Sequence, residues 1–116
     1  MGQLLIYGSV AAGIQLAGSI IHSREYRVIG FIDDDVHLQG NDIDGWRVYR
    51  PDEINNLVAG FVMFELWLAI PSASRVRRNE IIDSLRGYPV HIRTLPGMVD
   101  LAQGKVIVSD IHELNV

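Results

Sequence analysis

The feature that most constrains this chain is a glycine-bounded turn near its start. The turn runs from Gly8 to Gly13 and lies between the apolar residues 4–7 and a segment with helical spacing of apolar side chains. Asp33 ends a second apolar segment, 20 residues beyond Gly13. Dinucleotide-binding βαβ units have this spacing, because the helix N-terminus holds phosphate and the acidic side chain accepts ribose hydroxyls. The sequence therefore predicts a nucleotide-binding site.

Position 10 departs from the usual fingerprint, G-x-G-x-x-G. The middle glycine of that pattern lets the backbone approach the pyrophosphate, and here Val10 takes its place. A β-branched side chain resists a positive φ angle and puts a Cβ atom where phosphate would lie. Two interpretations of the turn stay open: a nucleotide site, or a tight connection between a strand and a helix.

Length and composition favour one domain with a sizeable core. The chain has 116 residues, of which 48% are hydrophobic, enough for several strands covered by helices. Its net charge is −4, and its basic residues form no larger group than a small arginine cluster at residues 75–78. Nucleic acid is therefore not an expected partner. The chain has no cysteine, which suits the cytoplasm, and its four histidines lie far apart. We therefore predict no metal site.

The longest apolar segment does not predict a membrane span. Residues 61–70 are about half the length that a spanning helix needs, and Glu65 interrupts them. The segment fits a buried strand better. We expect that this chain itself is not inserted in a membrane.

Strand and helix patterns alternate along the chain. Strands are expected at residues 3–7, 26–32, 46–49, 62–70, 90–95 and 105–109, and helices at 11–22, from 51 to about 60, between 74 and 87, and at 98–102. This alternation predicts an α/β fold, doubly wound, with a mainly parallel sheet and helices on both faces. In such folds ligands bind outside the carboxyl ends of the strands, where the strand order reverses.

The candidate cofactor-binding residues lie at those strand ends. They are Gly8, Ser9, Val10, Ala11, Gly13, Asp33, Asp34, Ile70, Pro71, Ser72 and Arg75. Asp33 is the candidate for the ribose contact, and the neighbouring carboxylates would repel a 2′-phosphate, which favours NAD over NADP. Arg75 could pair with a phosphate or be a surface arginine, and Ser72 could cap a helix or bind the ligand.

Five segments carry a resemblance to a known family, in order along nearly the whole chain. They are residues 5–8, 30–35, 38–40, 69–75 and 93–96. With these segments the chain resembles the N-terminal Rossmann-like domain of bacterial polysaccharide-biosynthesis nucleoside-diphosphate-sugar epimerases and dehydratases. That group includes membrane-bound UDP-N-acetylglucosamine 4,6-dehydratases. Family members usually have Gly-Ala-Gly at positions 8–10, so Val10 is a departure from the family pattern too.

The resemblance implies a domain that holds NAD or another nucleotide, with CoA or a UDP-sugar as alternatives. It places the nucleotide-binding domain at residues 1–109 and the start of a linker to a catalytic domain at 110–116. The parent protein would be an NAD-dependent nucleotide-sugar dehydratase or epimerase, anchored in the inner membrane by upstream helices, with this domain on the cytoplasmic side. We also expect a homodimer.

The sequence assigns no catalytic residue. Sugar dehydratases of the resembled type commonly use a tyrosine or methionine four residues before a lysine, but the one lysine is Lys105 and residue 101 is leucine. A serine hydrolase is disfavoured because no G-x-S-x-G motif is present. A signalling receiver would need an acid pair and a lysine where this chain has Gly8 and Pro96. The main alternative is a structural or dimerisation module that has lost its nucleotide because of Val10.

Overall fold

The structure, a computed structural model, describes residues 2–60, 64–71, 73–94 and 112–113. The strands are β1 (Gly2–Tyr7), β2 (Tyr26–Ile32), β3 (Asp42–Ile43), β4 (Trp46–Tyr49), β5 (Phe64–Leu68), β6 (His91–Thr94) and β7 (His112–Glu113). The helices are α1 (Ala11–Ile20), α2 (Ile54–Val58) and α3 (Arg75–Leu85), and a 3₁₀ turn at Pro51–Glu53 leads into α2.

The strands form one sheet in the order β3-β4-β2-β1-β5-β6-β7. The strands β4, β2, β1, β5 and β6 are parallel to one another, whereas the short strands β3 and β7 pair antiparallel to β4 and β6. From β1 the chain first builds outward through β2 and β4, and then crosses back to add β5 and β6 on the other side. The strand order therefore reverses between β1 and β5, which is the switch point of a doubly wound fold.

Apolar side chains bury both faces of the sheet. On one face α1 packs Leu16, Ala17 and Ile20 against Leu4 and Ile6 of β1. The other face is covered by α2 and α3, with apolar residues that include Ile54, Val58, Ile81, Ile82 and Leu85. Because β1 is buried on both faces, its apolar residues run without alternation, as is typical of parallel sheets. The predicted fold class, with helices on both faces, is confirmed.

Gly30 lets strand β4 lie close to strand β2. A Cβ atom at this position would come within 2.8 Å of the Arg47 carbonyl oxygen and 2.7 Å of a Tyr49 ring carbon. Both neighbours belong to β4, so a side chain at position 30 would push that strand away.

Glu65 of β5, the charge that interrupts the apolar segment, is buried and has partners in β5 and β6. Its carboxylate accepts a hydrogen bond from Trp67 Nε1 at 3.0 Å and forms an ion pair with Arg93 of β6. Trp67 is fully buried and stacks edge-on against Tyr26. A buried carboxylate is tolerated only when it is paired in this way. Trp67 is therefore a core residue.

The structure differs from the sequence expectations mainly in the short elements. The strands β3 and β7 were not predicted, because two residues show no periodicity. Residues 112–113 were placed in the start of a linker, but they pair with β6 as an edge strand. The predicted helix at 98–102 and strand at 105–109 lie outside the described residues. In the described part of the chain no helix is both long enough and apolar enough to cross a bilayer.

Candidate nucleotide-binding site

Two glycines shape the connection from β1 to α1. Gly8 has a φ angle of +108°, and a Cβ atom there would lie 2.6 Å from the Ala69 carbonyl oxygen at the end of β5. A Cβ atom on Gly13 would lie only 1.8 Å from the Gly8 carbonyl oxygen. Gly8 thus allows the turn, and Gly13 allows α1 to pack directly onto it. These are the roles that the first and third glycines have in dinucleotide-binding turns.

Val10 occupies the turn without backbone strain. Its φ and ψ angles are −100° and −161°, an extended conformation that any residue can adopt. The expectation that this position needs a positive φ angle is therefore wrong for this turn. The side chain is 58% exposed and lies at the edge of a cleft. Val10 narrows that cleft but does not fill it.

The N-terminus of α1 opens into the same cleft. The first N–H groups of a helix have no partner within the helix, and the Val10 side chain, at the N-cap position, makes no capping hydrogen bond. Ala11 and Ala12 of the first turn both line the cleft, and that turn contains no acidic residue. Small side chains at these positions leave the N–H groups and the positive end of the helix dipole accessible to an anion.

Asp33 fixes the turn from the end of β2. Its Oδ2 atom accepts hydrogen bonds from Ser9 N at 3.1 Å and from Ser9 Oγ at 2.8 Å. Its Oδ1 atom accepts a third one from Asp35 N at 2.9 Å. Ser9 is fully buried. A carboxylate offers about four acceptor positions, so Asp33 keeps one for a further donor, while its main observed contact is with the turn.

Asp34 belongs to a second group of side chains at the cleft. It forms an ion pair with Arg77 of α3 and lies next to the Tyr7 hydroxyl at the end of β1. Burial, and after it the negative charge of Asp34, raises the pKa of Tyr7 to about 12. The phenol is therefore protonated near neutral pH, where it lies beside the Asp34 carboxylate.

The cleft formed by these elements has a volume of about 310 Å³ and lies at the switch point between β1 and β5. Seven of the predicted residues line it, namely Gly8, Val10, Ala11, Asp33, Asp34, Ile70 and Pro71. Residues that the sequence did not single out also line it: Tyr7, Ala12, Ala69, Ala73, Arg77 and Ile81. Apolar walls with a few polar groups are typical of small-molecule sites.

The remaining predicted residues lie elsewhere. Ser9 and Gly13 are buried beneath the cleft. They stabilise the turn and do not line the cleft. Ser72 lies outside the described residues, and the cap of α3 is Ser74, whose Oγ accepts from Arg77 N at 3.1 Å.

Arg75 is exposed on the first turn of α3 and does not line the cleft, whereas Arg77 does. The sequence held a signal for this difference, because Arg77 is four residues before the buried Ile81 and so shares its face of the helix.

The structure offers no grouped metal ligands in its described residues, where no three acidic or histidine side chains come together. Asp35 stabilises its own loop, since its Oδ1 atom accepts a hydrogen bond from His37 N at 2.9 Å. Such a contact is an ordinary Asx turn.

Comparison with solved structures identifies the family. The crystal structure of UDP-D-quinovosamine 4-dehydrogenase from Vibrio fischeri is similar over 99% of this chain and 94% of that chain, with 35% identity and a TM-score of 0.83. This chain belongs to the same family. No protein-family model matches it, and no curated protein matches it.

The fold of this chain is also found in a repressor. A Rex-family repressor, RSP, has a TM-score of 0.65 over 82% of this chain with 18% identity, and its complex with β-NADH has a TM-score of 0.64 over 95% with 17% identity. This chain spans 45% and 50% of those two chains. At such low identity the likeness shows the fold alone, which is Rossmann-like.

Proposed function

We propose that this chain is a non-catalytic domain that binds NAD, or the nucleoside diphosphate part of a nucleotide sugar. In this proposal it regulates or supports a UDP-sugar dehydratase or epimerase of surface-polysaccharide synthesis. The observation that carries the proposal is the cleft at the switch point, which combines the N-terminus of α1 with the carboxylates of Asp33 and Asp34.

Each part of a nucleoside diphosphate has a matching group in the cleft. The N–H groups of Ala11 and Ala12 suit a diphosphate, since a helix N-terminus binds anions through its amides and its dipole. The remaining acceptor position of Asp33 suits a ribose hydroxyl. Ile70 and Pro71 supply an apolar wall for a base or a sugar ring. The negative charges of Asp33 and Asp34 disfavour the extra phosphate of NADP.

The comparisons support the choice of ligands. The family relative is named as a dehydrogenase of a UDP-sugar, and one Rex-family structure of the same fold is titled as a complex with β-NADH. A UDP-sugar and NAD share the nucleoside diphosphate that the cleft suits. We also propose that the chain works as a homodimer on the cytoplasmic side of a membrane-anchored parent enzyme, with residues 1–109 as the binding domain.

Isothermal titration with a panel of ligands tests the binding. NAD, NADP, CoA, UDP and UDP-N-acetylglucosamine are each titrated into the chain. We expect saturable binding of NAD or of a UDP compound, and weaker binding of NADP. Flat traces for all five ligands would remove the binding part of the proposal.

A second function is favoured by one observation. Because Ser9 donates two hydrogen bonds to Asp33 Oδ2, the turn is held together without a ligand. The domain could then serve only as a structural or dimerisation module that has lost its nucleotide. The variant V10G separates the two functions, since glycine caps a helix better than valine and should leave α1 intact. A large gain in NAD affinity would show that Val10 excludes the cofactor, whereas unchanged binding would show that Val10 is compatible with it.

A further inference from the structure

An ion pair crosses the mouth of the cleft. Asp34 follows β2, and Arg77 lies in the first turns of α3, which follows β5. Strand β1 lies between β2 and β5 in the sheet, so the Arg77–Asp34 pair passes over the carboxyl end of β1, where Tyr7 and Gly8 line the cleft. A ligand with phosphates at the N-terminus of α1 would meet the Arg77 guanidinium there.

This ion pair is easily exchanged. Its two side chains are 49% and 46% exposed, and water screens an exposed pair so strongly that it contributes little to stability. Asp34 is about half exposed, so water would solvate its carboxylate if Arg77 moved away. Arg77 would gain, because a diphosphate as a whole carries at least two negative charges against one on the Asp34 carboxylate, and its oxygens offer the planar guanidinium the same two-oxygen contact.

We propose that Arg77 binds a phosphate group of the ligand and that Asp34 competes with this phosphate for Arg77. The inference rests on the proposed nucleotide function and goes further, because it names the residue that recognises phosphate and an internal competitor that lowers affinity. The ligand class is a nucleoside diphosphate. Its charge, more than its base, then determines how tightly it binds.

Neighbouring residues of the same types provide matched controls. Arg75 lies on the same helix as Arg77 and is exposed, but it does not line the cleft. Asp35 follows Asp34 directly, and its side chain accepts from His37 N, a contact that asparagine can also make. The variants R75Q and D35N therefore change the same charges without touching the proposed phosphate site.

The experiment measures binding of adenosine, AMP and ADP to the chain by titration calorimetry, with UDP as a second diphosphate. The variant R77Q should bind ADP about 10- to 100-fold more weakly and adenosine within about twofold of the wild type, because only the charged hydrogen bonds are lost. The variant R75Q should bind ADP as the wild type does. The variant D34N should bind ADP up to about fivefold more tightly, and D35N should not.

The outcomes distinguish this inference from the proposed function. If the wild type binds ADP and R77Q binds it equally well, the inference is wrong and nucleotide binding stands. If only D34N binds ADP, the competitor role of Asp34 is supported. If neither the wild type nor D34N binds any of the four ligands, the inference fails, and the titrations of NAD and UDP-N-acetylglucosamine decide the proposed function separately. Thermal unfolding of each variant verifies folding, and D34N decides the matter should R77Q not fold.

Discussion

The two sides of the cleft are built in different ways. On the turn side, backbone contacts define the shape, because Gly8 and Gly13 lie where no Cβ atom fits and Asp33 ties down the buried Ser9. On the opposite side the contact between Asp34 and Arg77 joins two half-exposed side chains that are 43 residues apart. The comparison teaches that backbone packing fixes the turn side, whereas the opposite side is held by an ion pair that water reaches.

The largest effect is expected from a methyl group on the turn side. In G13A the new Cβ would lie 1.8 Å from the Gly8 carbonyl oxygen, and a backbone atom cannot move aside cheaply. We expect a loss of more than about 3 kcal/mol in the free energy of unfolding, measured by urea denaturation. The control is G18A in the same helix, where no atom lies within 4 Å, and it should stabilise the chain by about 0.5–1 kcal/mol. Equal changes in the free energy of unfolding for G13A and G18A would contradict the claim that close packing at Gly13 fixes the turn side.

On the ion-pair side, the contribution of Tyr7 to stability is expected to depend on pH above 10. The pKa of Tyr7 is raised from 10.0 to about 12 in the folded protein, first by burial and then by Asp34. The folded state therefore favours the protonated phenol, and its contribution to stability is complete below pH 10 and is lost as the pH rises through 12. For a shift of this size the loss is about 2–3 kcal/mol.

The variant Y7F tests this pH dependence, because phenylalanine cannot ionise. Its free energy of unfolding should fall less between pH 10 and pH 12 than that of the wild type. Ultraviolet absorbance of tyrosinate, followed in the same range, reports the ionisation directly. An identical fall in both proteins would mean that the pKa of Tyr7 is not raised in the folded protein.

A smaller effect is expected from the link between the two sides. The variant S9A removes the hydrogen bond from Ser9 Oγ to Asp33 Oδ2, while the bond from Ser9 N remains. The expected loss is about 1–2 kcal/mol in the free energy of unfolding. Ser19 is the matched control, since its Oγ donates to the Gln15 carbonyl oxygen on the exposed face of α1. The variant S19A should lie within about 0.5 kcal/mol of the wild type, and a loss equal to that of S9A would contradict this account of the turn.

The turn side could be predicted from the sequence because its determinants are local. Gly8, Gly13 and Asp33 follow a spacing with a chemical reason for each residue, and both neighbouring strands read as buried apolar segments. The internal use of Asp33 by Ser9 was not predictable, because a carboxylate that binds ribose and one that ties a turn leave the same pattern in the sequence.

The ion-pair side was harder to predict. Arg75 and Arg77 lie two residues apart, and the spacing of Arg77 from Ile81 indicates its helix face but not that this face of α3 borders the cleft. Tyr7 is the last residue of an apolar strand, so the sequence marks it as a core residue. The position of its hydroxyl beside Asp34 depends on where the chain turns after β2. The short strands β3 and β7 have no periodic pattern at all. Their pairing depends on tertiary contacts with β4 and β6.

The central claim is that the N-terminus of α1 holds the diphosphate of a nucleotide, and one titration tests it most directly. NAD is titrated into the wild type, into A11E and into Q15E, whose new charge lies on the exposed face of the same helix one turn further on. An acid in the first turn stabilises a helix, so A11E should fold at least as well as the wild type. We predict that A11E binds NAD at least 10-fold more weakly, by roughly the 1.4 kcal/mol that such a factor represents, and that Q15E binds as the wild type does. Equal binding of NAD by A11E and the wild type would contradict the account.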